Sequence, residues 1–70
     1  MGKKEYRTAI KIFKLNVEAY PDAWNVYDSL GEAYMENGDT DLAITNYQKS
    51  LGINPDNENG TKILKQLMGN

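Results

Sequence analysis

The sequence contains neither cysteine nor histidine. Without cysteine no disulfide can brace the fold, and without either residue a zinc site would have only hard carboxylate and amide oxygens to use. The same absences remove the commonest general base and the most reactive nucleophile of enzymes, and Ser29 and Ser50 have no evident base. Asp28 and Glu32 could imitate an acid and base pair, but on a solvent-facing helix they lack the burial that separates two carboxyl pKa values. Phosphate-binding loops and dinucleotide fingerprints are missing too, so neither catalysis nor a cofactor is expected. No apolar run approaches the ~20 residues of a membrane span, and no charged-then-apolar leader opens the chain. The expectation is no membrane partner, with the cytoplasm the favoured compartment. Met1-Gly2 invites a myristoylation reading, but Tyr6 stands where Ser or Thr is required. Positive charge is in short supply, with 8 Lys and Arg against 10 Asp and Glu and a pI near 4.9. A nucleic-acid partner, including one read by a DNA-binding helix-turn-helix, is therefore disfavoured.

What is present suits one small helical domain. Seventy residues bury only about 60% of their unfolded surface, so stability is marginal. An apolar fraction of 40%, with one Trp, five Tyr and one Phe, still suffices for a packed core. Sliding the chain by 34 residues superposes two segments. Ala9-Ile10 falls on Ala43-Ile44, Phe13 on Tyr47, Val17 on Leu51 and Pro21-Asp22 on Pro55-Asp56; Leu30 meets Leu64 and Tyr34 meets Met68. A period of this length is the signature of stacked supersecondary units.

Each unit reads as helix. Tyr6, Ala9, Ile10, Phe13 and Val17 recur at 3–4 spacing and give residues 3–20 one apolar face. Pro21 ends that helix, and Asp22 is the expected N-cap of the next, whose buried stripe is Tyr27, Leu30, Ala33 and Tyr34. Asn37-Gly38 stops it, and Asp39 or Thr40 is expected to cap a third helix carrying Ala43, Ile44, Tyr47 and Leu51. Asn54-Pro55-Asp56 repeats the stop-and-cap signal before a last helix over 58–68, with Ile63, Leu64, Leu67 and Met68 on one face and Gly60 weakening its start. Gly31 and Ala43 fall on the inner faces of the second and third helices, where a helical glycine suggests close backbone approach.

The run Tyr27-Asp28-Ser29-Leu30-Gly31-Glu32-Ala33-Tyr34, followed by Gly38-Asp39, Ala43-Ile44, Tyr47 and Asn54-Pro55, resembles the tetratricopeptide repeat. The likeness spans 24–57 as a complete repeat, reaches back over 3–20 as the second helix of a preceding one, and leaves 58–68 as a capping helix. It implies an all-α superhelix of helical hairpins, about 1.5 repeats plus the cap, within a single module over 1–70. Tyr27 departs from the usual tryptophan, Thr40 from a usual aromatic, and Asn16 and Ser50 from a usual alanine, softening the packing. Lys65 replaces the close-packing glycine in the last helix, so a stack is expected to end there with a polar back. The first helix lacks the partner that the family places before it, and the chain is expected to be the tail of something longer. More loosely, 16–35 is similar to short repeat tails on some bacterial serine hydrolases and esterases.

The resemblance also implies surfaces. Helices that line the family's peptide groove would present Asn25, Asp28, Glu32, Met35 and Glu36, joined by Lys62 and Gln66. Asp28, Glu32 and Glu36 repeat every four residues, an acidic stripe that a basic or neutral peptide would suit and an acidic tail would not. Lys3, Arg7, Lys11 and Lys14 form an opposite stripe. Residues 1–20 carry five cations against two carboxylates, a net of +3, while 21–57 carry one against seven, a net of −6. Ile12 and Leu15 lie off the apolar face of the first helix, and their counterparts one period later are Asn46 and Lys49. A helix apolar on two faces is usually covered on two. Ile12 and Leu15 are thus candidates for an association face, and Trp24 is expected to pack beside Tyr20 at the head of the second helix. The expected function is non-catalytic binding of a protein or peptide, through helix faces for self-association as a homodimer or for docking, with the acidic groove as the alternative.

Overall fold

The computed structural model describes the backbone of residues 3–69 and the side chains of residues 5–69. The Lys3 side chain of the cationic stripe and the Met1-Gly2 pair lie outside that description. Four helices follow one another: α1 Lys3–Ala19, α2 Trp24–Glu36, α3 Thr40–Ile53 and α4 Glu58–Leu67. Among the described residues there is no strand. The fold is the expected all-α stack of helical hairpins. Each helix packs on its neighbour in sequence, α2 most extensively on α3. The result is a slab of 31 × 30 × 15 Å.

The turns explain the boundaries. After α1, Pro21 supplies no N–H, and the Tyr27 hydroxyl reaches back to donate to the Pro21 carbonyl at 2.6 Å. The N-cap of α2 is Ala23 in extended conformation, with no side-chain cap bond, so Asp22 does not cap it. Gly38 takes a left-handed φ of 88°, which glycine adopts without the Cβ clash other residues meet. The Gly38 N–H then donates to the Met35 carbonyl at 3.1 Å and the Asp39 N–H to the Tyr34 carbonyl at 2.9 Å, closing a Schellman motif. Asp39 is the N-cap of α3 by position, but its carboxylate is taken by Asn37 Nδ2 at 2.7 Å and caps nothing. Asn57, rather than Asp56, caps α4: its Oδ1 accepts from the Gly60 N–H at 3.1 Å.

Ile10, Leu30, Ala33, Tyr34 and Ala43 form the core, with Phe13, Val17, Met35 and Leu67 packed around it. Tyr47 and Ser50 are fully covered. Gly31 makes its close approach to Tyr47 rather than to Ala43. A Cβ on Gly31 would stand 3.0 Å from Tyr47 Cδ2 and Cε2, so the ring lies directly on the α2 backbone. Ala43 instead closes the core beside Leu30 and Tyr34.

Candidate interaction surface

The expected groove residues differ in how they are placed. Asn25, Glu32 and Glu36 are exposed on α2. Met35 is half-buried and packs against the core. Lys62 and Gln66 are exposed on α4, where they line a shallow hollow of about 660 Å³ with Pro55, Glu58, Thr61 and Lys65 but with no α2 residue.

Asp28 is half-buried and already engaged. Asn57 Nδ2 donates to Asp28 Oδ1 at 3.0 Å and to Ser50 Oγ at 3.1 Å, while its Oδ1 holds the Gly60 N–H. One amide therefore joins α2, α3 and the start of α4. Gly60 is buried because the amide lies against it: a Cβ there would be 2.5 Å from Asn57 Nδ2. Gly60 thus makes room for the cap, and Ser50 gives it an acceptor. Sequence reasoning missed Asn57 altogether. The available signal was an Asn three residues before a glycine at a helix start, opposite a serine at a usual alanine position.

The acidic stripe acts on two phenols. The Tyr6 phenol is held above its ordinary pKa, first by its hydrogen bond to Glu36 and then by burial. Tyr47 is pushed up to about 12, chiefly by burial and then by the negative charges of Asp28, Glu32 and Glu36. The Tyr47 hydroxyl oxygen is buried with no hydrogen-bond partner among the described residues. Among those residues, no group of three or more acidic side chains is placed to hold a metal ion, and no helix is long and apolar enough to cross a membrane.

On α1 the outer side is bare. Ile12 is 53% exposed and Leu15 63%. The corresponding positions of α3 are occupied by polar groups with local partners. Asn46 Nδ2 donates to the Leu42 carbonyl at 2.8 Å, and Lys49 Nζ sits 5.8 Å from the centre of the Tyr27 ring. Trp24 is 36% exposed and Tyr20 64%, so neither is sealed at the α1–α2 turn.

A hairpin whose glycine receives an aromatic ring, closed by a left-handed glycine and followed by Asn-Pro, has a known counterpart. Residues 29–57 match the family model of the tetratricopeptide repeat. The match covers most of α2, all of α3 and the turn to Asn57, and it supports the tetratricopeptide family for this hairpin. Tetratricopeptide repeats are non-catalytic and generally mediate protein–protein interactions. No curated protein is significantly similar to the chain, and the looser likeness to hydrolase tails has no support.

Proposed function

We propose that this chain is a non-catalytic protein–protein interaction module that works through its helix faces, with the outer side of α1 as its docking surface, either for another copy or for a parent or partner protein. The observation that carries this reading is the exposure of Ile12 and Leu15 where the repeat-equivalent α3 carries Asn46 and Lys49. Burying each such side chain is worth roughly 1.5–3 kcal/mol, which a marginal domain gains by covering them. Sedimentation equilibrium over a concentration series tests it, alongside an Ile12→Lys, Leu15→Lys double variant. Concentration-dependent mass that the double variant loses supports the reading. A natural chain that stays monomeric and captures no protein through this face overturns it.

The acidic stripe favours a second reading, a groove for basic or neutral peptides. With Asp28 tied to Asn57 and Met35 in the core, Asn25, Glu32 and Glu36 remain as its α2 wall, with Lys62 and Gln66 the α4 candidates. Calorimetric titration with an oligolysine-containing peptide should give binding that weakens with salt and disappears in a Glu32→Lys, Glu36→Lys variant. Tight binding of an acidic peptide would refute it.

A further inference from the structure

Deepening the reading of α1 as a docking face, we infer that its occupant is α1 of a second copy, packed antiparallel across a two-fold axis. The bare side of α1 is a seam. Thr8, Ile12, Leu15 and Ala19 are spaced four, three and four, the alternation that keeps one stripe of a helix facing a partner helix, and all four are exposed. The equivalent line on α3 is Leu42, Asn46, Lys49 and Ile53, with polar residues at its centre. Of the two, α1 alone presents an apolar centre.

Three pairings of two copies can be compared. Head-to-tail stacking would set α4 against α1 as α2 is set against α3. However, α4 has Thr61 where α2 has Tyr27, and Lys65 where α2 has the Gly31 that admits the Tyr47 ring. A lysine in that contact has no room and no partner. Parallel pairing of two α1 helices brings Lys11, which borders the seam beside Ile12, toward Asn16 on the other side, and it aligns the two helix dipoles. Antiparallel pairing sets Ile12 against the partner's Leu15. Lys11 and Glu18 are both exposed and stand seven residues apart on the same border of the seam. Reversing one helix brings each Lys11 to the partner's Glu18, giving two ion pairs of the kind that fix orientation between helices. Lys14, one turn before Glu18, competes for it within the helix, but Lys preceding Glu is the weaker order for such a pair. The interface is isologous, so it closes at two copies.

The contact is small. A helix of 17 residues is about 25 Å long, and one helix face covers roughly half of the ~800 Å² per partner of a standard interface. The dimer is therefore weak, with a dissociation constant on the order of 100 μM.

The test exchanges the charges. Lys11→Glu and Glu18→Lys are made separately, with far-UV circular dichroism and melting to verify that each surface variant folds like the parent. Each variant alone should dimerise at least about tenfold more weakly than the natural chain, because like charges then meet twice across the seam. An equimolar mixture of the two variants should recover the natural mass in sedimentation equilibrium, because the carboxylate introduced in one variant then meets the ammonium introduced in the other. A natural chain monomeric near 1 mM overturns the proposal and leaves only docking to another protein. A dimer broken by Ile12→Lys, Leu15→Lys, but indifferent to the charge exchange or unrecovered in the mixture, overturns the antiparallel pairing while the docking face stands.

Discussion

Helices α1 and α3 are two copies of one pattern, and they differ in what covers them. In α3, Ala43, Tyr47 and Ser50 are completely sealed by α2 and α4. Their counterparts in α1 are Ala9 and Phe13, half-buried, and Asn16, exposed. The same apolar register is therefore fully sealed on one helix and only partly covered on the other. A repeat's helix is completed by its neighbour, so the face it leaves bare shows which neighbour it can still accept.

The comparison can be broken most directly at its aromatic pair. Tyr47→Ala should destabilise by about 3–5 kcal/mol, enough to unfold much of so small a domain, whereas Phe13→Ala should cost less because its ring is only partly covered. Equal losses in chemical denaturation would mean that α1 is covered as well as α3. Next comes the glycine beneath the Tyr47 ring. Gly31→Leu should cost about 1–3 kcal/mol by forcing Tyr47 off the α2 backbone, while Lys65→Leu at the equivalent point of α4 should stay within ~0.5 kcal/mol. A Gly31→Leu variant that melts with the parent would show that the ring has room to move.

The smallest effect concerns the Tyr47 phenol. Its folded pKa lies above the unfolded one, so the unfolded chain ionises first as pH rises. Stability is unaffected below the ordinary tyrosine range near pH ~10 and falls as pH climbs from there through about 12. Ultraviolet titration should show a tyrosine ionising late, and Tyr47→Phe should remove that component. Because the hydroxyl has no partner among the described residues, this variant should be no less stable than the parent at neutral pH, the loss of an unpaired buried donor being neutral or favourable. A clear destabilisation would reveal a bond the hydroxyl makes after all.

Much of the fold was legible because the signals that stop a helix are local. Pro21, Gly38 and Pro55 act through their own backbones, and the helices end where those residues require. The apolar stripes were equally readable, since Tyr27, Leu30, Ala33 and Tyr34 face inward by periodicity alone. Polar details were not. Asp22 has the side chain of a cap, but the chain enters α2 through Ala23. Ser50 and Gly60, taken singly, look like weaknesses; they make sense only once Asn57 is seen between them. Met35 falls on the groove line by register, yet it is flexible enough to turn into the core. Sequence spacing places residues on faces, whereas which polar groups meet depends on how the helices cross.

The amide of Asn57 is both the cap that lets α4 begin and the tie that holds α4 to Asp28, 29 residues earlier in the chain. Starting the last helix and docking it are therefore one event, because the side chain that satisfies the first turn is positioned by α2 and α3. A helix of ten residues packed on a single neighbour would ordinarily fray independently of the body. Loss of the amide would remove both, so α4 is expected to join the same all-or-none transition as the hairpin. Its amide hydrogens should exchange together with those of α3 rather than ahead of them.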